Sequence, residues 1–409
     1  MKRLNILITA IVLMTAFSVQ AQKKQALEEN TYRRSSLYSV LISHTDKKFN
    51  TEIENCFLQI PIPDTYNDHD LSVKIVNLEG DIEKEKVNKK EAPKGPAQIN
   101  TFLEDNQIAS RLVGKWFLRD YNTGECAMDL IGSRGIYAAS EIDKAKAAAN
   151  LKGDAMLADA GEDLIQNTFV LVNDITYIDK GARSKNVGMG LKILGSIAAA
   201  ATGIDALEDV GNLAGSMAET LKGFSVKVNT SLYQLVWDDE AASITYDNWC
   251  DRDAFERNRG SYKLKYVGNQ LSNGGTTSFL GIREDQPEIM IRKACQRALD
   301  ENIANLQQNF QAFQIKTPLE SVEPLEARVG KKEGITENSR FEVLEPQKDE
   351  NGRITYKKIG EIKPVQNLIW DNRYMAEEEM AEGATLGCTT FKKVSGGDFL
   401  PGHLIRQIK

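Results

Sequence analysis

A short stretch in the middle of the chain constrains its fold more tightly than any other. Phe224, Val226, Val228, Thr230 and Leu232 alternate with Ser225, Lys227, Asn229 and Ser231. Successive side chains of a strand point to opposite faces, so this period of two predicts a half-buried β-strand. Past Leu232 the large side chains are Tyr233, Leu235 and Trp237, a shift of phase that predicts a β-bulge. The unbroken apolar run Phe169 to Val172 predicts a second, buried strand continuing to Ile178. A different period follows. Ile291, Cys295, Leu299, Ile303, Leu306, Phe310 and Phe313 step by three or four, the spacing of a helix with one apolar stripe. Pro287 near its start and Pro318 past its end place it within 286–316. The expected class is α+β, with a central mixed α/β core.

The 409 residues leave room for about two or three domains around this core. Residues 22–78 read as a small N-terminal α/β unit. Within it, Ser36–Ser43 is a strand or short helix, Ile53, Phe57 and Ile60 have helical spacing ended by Pro61, and Leu71–Val76 alternates like a strand. Residues 79–99 carry mixed charge, Pro93 and Pro96, and few large apolar side chains, as a linker or exposed loop does. Residues 100–316 form the central domain. Ile108–Phe117 is apolar at mixed spacing, Cys126–Ile131 reads as a strand, and Ser140 with Asp143 opens an Ala-rich helix reaching Gln166. Residues 317–409 bring turn signals close together, with short β-like runs at 326–329, 340–344, 354–358 and 359–364 and a hairpin turn at Asn351-Gly352. This predicts a C-terminal β-module, a small barrel or sandwich.

The N-terminus predicts export. Lys2 and Arg3 precede an apolar run from Leu4 to Phe17, and Val19-Gln20-Ala21 offers small residues for cleavage before Gln22. Residues 1–21 thus have the three parts of a signal peptide. The segment resembles signals of Gram-negative bacteria, those of Bacteroidota in particular, which implies the periplasm, the periphery of the outer membrane, or secretion. No cysteine follows until Cys56, which argues against lipidation at the new N-terminus. The 51 Lys+Arg against 58 Asp+Glu give a net charge of −7, spread without a basic stripe, so no nucleic-acid partner is expected. Cys56, Cys126, Cys250, Cys295 and Cys388 contain no CxxC pair, which excludes a zinc ribbon or thioredoxin-like site. Cys295, on the helical stripe, is expected to be a small buried hydrophobe.

Residues 187–223 are rich in Gly and Ala, with Lys192 the one charge before Asp205. Small residues let backbones approach closely. The segment therefore either packs on the sheet as helices or a loop, or is an insertion that meets a membrane or a neighbouring subunit. In the second reading the contact residues are Leu191, Ile193, Leu194, Ile197 and Ile204.

Little in the chain marks chemistry. His44, His69 and His403 form no HExxH, and GxSxG, GxGxxG and P-loop patterns are absent. Asp64, Asp68, His69 and Asp70 read either as an oxygen-and-imidazole metal site or as a solvated turn, the turn preferred because the DxDxDG order is missing. Asp349-Glu350-Asn351-Gly352 reads as a hairpin tip in place of a calcium loop, and Asn273-Gly274-Gly275 as a turn. Asp238, Asp239 and Glu240 follow the central strand. They read as a solvated turn, or as glycosidase carboxylates with Trp237, Tyr246 and Trp249 as a sugar platform. No catalytic, cofactor-binding or metal-binding residue is assigned, and no cofactor is expected.

Two resemblances add to this. Val329-Gly330-Lys331-Lys332-Glu333-Gly334-Ile335, Arg340-Phe341-Glu342-Val343 and Lys358-Ile359-Gly360-Glu361-Ile362 resemble the C-terminal β-module of flagellar outer-membrane assembly factors. That likeness implies a turn at Gly334, a strand through Phe341 and Val343, and a return strand after Gly360. The helix-then-strand unit at 140–178 is similar to the periplasmic α/β domain of curli-type secretion channels. Together they imply a non-enzymatic envelope protein that binds an envelope protein or the outer-membrane surface, with a homo-oligomer as a further expectation. The alternatives are an outer-membrane channel or secretion-assembly component and, after it, a secreted carbohydrate-active hydrolase.

Overall fold

The computed structural model describes residues 35–63, 65–78, 82, 93–128, 162, 164–178, 224–248, 252–276, 287–348, 354–374, 376 and 386–408. The signal segment, most of 79–92 and the 187–223 stretch with Leu191, Ile193, Leu194, Ile197 and Ile204 lie outside these residues. The fold is α+β, and the described residues form two sheets.

The first sheet is mixed. Strand β1 (Ser36–Ser43) pairs in parallel with β4 (Thr168–Tyr177), Leu37 opposite Phe169. Along its other edge β1 pairs in succession with the short parallel strands β2 (Asn67–Asp68) and β3 (Ile75–Asn77). Strands β5 (Phe224–Leu235) and β6 (Leu264–Thr276) continue antiparallel from β4. Residues 36–78, read from the sequence as a unit of their own, are thus joined to the central sheet through β1. The strand expected over 71–76 shrinks to Ile75–Asn77. Ser72 adopts a left-handed conformation, φ 67°, which no extended strand accommodates.

Helices cover both faces of this sheet. Tyr38, Val40, Ile42, Val170, Val172, Tyr233 and Leu235 pack against α2 (Ala97–Asp105) and α3 (Ile108–Trp116), with α4 (Asp239–Asn248) and α5 (Arg252–Asn258) joining the same core. On the opposite face, Leu37, Leu41, Phe169, Leu171, Ile175, Val226, Val228 and Leu232 meet α1 (Asn50–Leu58) and α6 (Pro287–Asn309). Helix α2 begins at Ala97, inside the stretch expected to be linker, and buries Ile99 and Leu103. The described part of the strand expected at 126–131 is irregular. Ala127 N–H instead donates to Phe117 O, folding the loop back on the end of α3.

The two-face coverage explains the phase shift in β5. Its side chains keep alternating, but the apolar ones move from the α6 face at Leu232 to the α2–α3 face at Tyr233. The register irregularity falls at this point, where Leu232 pairs with Gly268 and Tyr233 with Tyr266. The extra residue is Val267 on β6, so the bulge sits on the partner strand. Asn273-Gly274-Gly275 is not a turn but the end of β6. A Cβ on Gly274 would run into Ala294 O and the Ala298 methyl, so its lack of a side chain lets α6 lie close on the sheet.

The second sheet is antiparallel and drawn wholly from residues 317–407. Its order is β7 (Thr317–Pro318), β13 (Leu404–Gln407), β10 (Phe341–Lys348), β11 (Ile354–Pro364), β12 (Thr389–Gly396), β9 (Leu325–Ala327), β8 (Ser321–Val322). It curls into a half-barrel around Val329, Ile335, Phe341, Val343, Ile362 and Phe391. Lys348 pairs with Ile354 across the antiparallel β10 and β11, and the expected hairpin tip at Asn351-Gly352 lies outside the described residues. Gly334 has φ 74°, as the expected turn requires. The two runs at 354–358 and 359–364 are one strand whose pairing shifts at Glu361/Ile362, and Gly360 lies within it rather than before a return strand.

Candidate functional site at the junction of helix α6 and the C-terminal sheet

The residues that the sequence offered for chemistry do not converge. His69 is buried, with Nε2 3.0 Å from Leu112 O and its ring against Trp116. It is therefore a packed core histidine, neither in a solvated turn nor facing metal ligands. Among the described residues no three His, Cys, Asp or Glu side chains gather as metal ligands would. His403 Nδ1 accepts from Leu400 N–H at 3.0 Å in the turn that leads into β13. His44 Nε2 meets Asp174 Oδ1 at 2.7 Å, at the carboxyl ends of β1 and β4. Asp238 is a helix cap, its Oδ1 accepting from Ala241 N–H at 2.9 Å. Asp239 and Glu240 fill the first turn of α4, where the helix dipole favours anions. Trp237 packs edge-on against Tyr246, whose hydroxyl donates to Glu162 Oε1 at 2.7 Å; Trp249 lies outside the described residues.

The site that does gather polar side chains is the seam where α6 meets the C-terminal sheet. The helix forms because its stripe of Ile291, Cys295, Leu299 and Leu306 is covered by the first sheet. Burial drives the Cys295 thiol well above its ordinary range, the nearby Cys56 adding to the effect. The helix's other faces carry polar groups. Arg292 donates to Gln59 O and Oε1, both at 3.2 Å, Arg297 NH2 donates to Tyr374 O at 3.2 Å, and Gln307 Nε2 donates to Tyr66 Oη at 2.7 Å. From the second sheet's side comes the single turn Lys331–Glu333. Glu333 Oε2 accepts from Gly330 N–H at 2.6 Å and from Asn372 Nδ2 at 2.8 Å. Asp371 is clamped by Arg373 and Lys331, which hold its carboxyl well below the usual range.

Two acids lie here, Asp300 buried and Glu333 half-buried. Glu333 is raised above the ordinary carboxyl range by burial, its hydrogen bonds opposing the shift. Asp300, on α6, is raised to about 7, again by burial first; Lys332 and Arg297 pull it down and Glu333 pushes it up. Lys332 Nζ stands 3.9 Å from Asp300 Oδ1, the outer limit of an ion pair. Asp300 Oδ2 has no hydrogen-bond donor among the described residues.

Two small cavities flank the seam. One, of about 30 Å³, lies between Gln307, Gln308 and the second sheet at Phe341 and Ile405. The other, of about 40 Å³, lies between the Pro61–Pro63 segment and α6, with Asp300 in its wall. Each has room for a water-sized group or two. Sequence reasoning missed this seam because Asp300, Lys332 and Glu333 follow no spacing rule; the one available signal was Asp300 within an amphipathic helix.

Among the described residues no helix is long and apolar enough to cross a membrane. Compared with known families and curated proteins, the chain matches no family and no curated sequence.

Proposed function

We propose that this chain is a non-enzymatic, exported protein of the cell envelope that binds an anionic partner, an envelope protein or the outer-membrane surface, through the outer face of its C-terminal sheet. One observation carries the reading. Lys363 on β11 stands directly opposite Lys392 on β12. Like charges facing each other across a strand pair destabilise a sheet, and neither lysine pairs with a carboxylate among the described residues. The acids nearby are already neutralised: Glu342 by Arg406, and Glu361 by Lys358 and, at 3.7 Å, by Arg340. An otherwise acidic chain therefore presents a positive face whose counter-charge is supplied from outside. The signal-like N-terminus supports placing that partner beyond the inner membrane.

The test is fractionation of the native protein with size analysis, on wild type and on the Lys363→Glu/Lys392→Glu double variant. The reading expects wild type in an envelope fraction, as a complex or a self-assembly, and the variant released from it. Equal distribution of the two proteins would remove the role given to this face. Turnover of a defined compound, lost on a point change that spares the fold, would remove the non-enzymatic reading.

A further inference from the structure

We infer that the cavity between the Pro61–Pro63 segment and helix α6 receives a primary alkylammonium group, with Asp300 as its anchoring carboxylate. The wall of the cavity carries Asp68, Asp70 and Asp300 against a single cation, Lys74. Asp70 is committed, one oxygen accepting from Ser72 N–H at 3.0 Å and the other pairing with Lys74 Nζ at 3.2 Å. Asp68 spends one oxygen on Asp70 N–H at 3.0 Å and is otherwise exposed. Asp300 differs from both: it is only 8% exposed, and its Oδ2 finds no donor among the described residues. A buried carboxylate oxygen left without a donor costs far more than one in water. Its nearest cations do not fill the gap. Lys332 reaches only the other oxygen, at 3.9 Å, and Arg297 donates to Tyr374 O.

The missing group must bring donors and positive charge, and it must be small. An ammonium has three donors on a compact charge. It is close to a water molecule in size, which suits about 40 Å³. Pro61 and Ile303, also in the wall, offer apolar surface for the methylenes behind the charge. A divalent metal fits less well, since the described residues bring no three ligand groups together. The alkylammonium can be carried on a partner protein's lysine or be a free small amine, and the recognition is the same for both. The inference goes beyond the binding reading above: it names a second, cationic group, held at a different surface.

The test titrates the full chain with n-butylammonium, n-butanol and a lysine-containing peptide at about pH 8, where the carboxyl is ionised. Wild type is expected to bind butylammonium in preference to butanol. Asp300→Asn, which keeps the shape and removes the charge, is expected to weaken that binding by about tenfold or more. Lys332→Gln, which removes the competing cation, is expected to tighten it. Tighter binding of the peptide than of butylammonium assigns the group to a protein partner, and the reverse to a small amine. Butanol binding as well as butylammonium, or unchanged affinity in Asp300→Asn, would overturn the inference. So would the absence of binding by either amine; if fractionation still places the protein in an envelope complex, only this inference fails and the broader reading stands.

Discussion

Thr230 donates its hydroxyl hydrogen to Asn173 Oδ1 at 2.9 Å in the middle of the first sheet's core. Thr230 Oγ1 in turn accepts from Asn302 Nδ2, also at 2.9 Å, so the Thr230 side chain links β4, β5 and α6. Asn302 reaches on to Val228 O at 3.1 Å, and Asn173 to Ser39 Oγ at 2.9 Å and Val40 O at 3.1 Å. Asn173, Thr230 and Asn302 have no solvent exposure. A chain of this kind fixes the axial position of α6, because sliding the helix by one residue strands all three groups without water.

Thr230→Val keeps the shape and removes the central link. Asn173 Oδ1 and Asn302 Nδ2 each lose a partner inside the core. The expected loss is about 1–3 kcal/mol, read from urea unfolding monitored by circular dichroism. Thr230→Val/Asn302→Leu should recover part of it, since an apolar pair leaves fewer stranded groups. A double variant less stable than the sum of the single effects would contradict the link.

Gly274→Ala tests the close approach of α6. The new methyl meets a backbone carbonyl, Ala294 O, which cannot swing aside as a flexible side chain can. The expected destabilisation is about 1–3 kcal/mol. Gly260→Ala is the control, because nothing lies near its Cβ position, and its stability should change by less than about 0.5 kcal/mol.

His44 and Asp174 give a pH dependence with a definite sign. The hydrogen bond to Asp174 raises the His44 pKa above its ordinary 6.5, partly opposed by burial. The folded protein therefore holds the imidazolium proton in a range where the unfolded chain has lost it. The stabilisation is complete below about pH 6.5 and fades as pH rises through the folded value. Asp174→Asn should lower the His44 pKa measured by NMR and flatten this part of the stability profile. An unchanged His44 titration in Asp174→Asn would show that the contact does not operate in solution.

The parts of the fold that were legible in the sequence are those written by one strong period. The stripe of α6 from Ile291 to Leu306 and the alternation of β5 from Val226 to Leu232 mark the faces on which helix and first sheet meet, and the structure has them there, while Phe310 and Phe313 lie past the helix end at Asn309. The buried run at Phe169 to Val172 was legible because β4 is covered on both sides. Less was legible where tertiary contact overrides local pattern. Helix α3 buries Ile108, Ala109, Ser110, Leu112, Val113, Gly114 and Trp116, so nearly every side is apolar or small and no stripe stands out. Gly274 carries a turn signal, yet it lies within a strand because a helix must pass close by. Strand β12 carries Lys392 and Lys393 and β13 is short, and their pairing depends on β11 and β10. The seam site was illegible for a further reason. Asp300 and Lys332 meet only after two units fold and dock, and the cost of burying a carboxylate appears only once the apolar wall around it exists.

Asp300 supplies the sharpest prediction. Burial raises its carboxyl from 3.8 to about 7, with Lys332 and Arg297 opposing and Glu333 reinforcing the shift. Here the raised group is an acid, so the folded protein keeps a proton that the unfolded chain releases at lower pH. Stability therefore falls as pH rises from about 4 to about 7 and levels off above. Asp300→Asn cannot ionise and escapes that fall. Glu333, also raised, bends both profiles in the same direction. The variant should match wild type near pH 4 and exceed it at pH 8 by on the order of 1–4 kcal/mol in urea unfolding. A difference that does not change between those two pH values would mean that Asp300 is solvated or firmly paired with Lys332, and that its Oδ2 has a donor in solution.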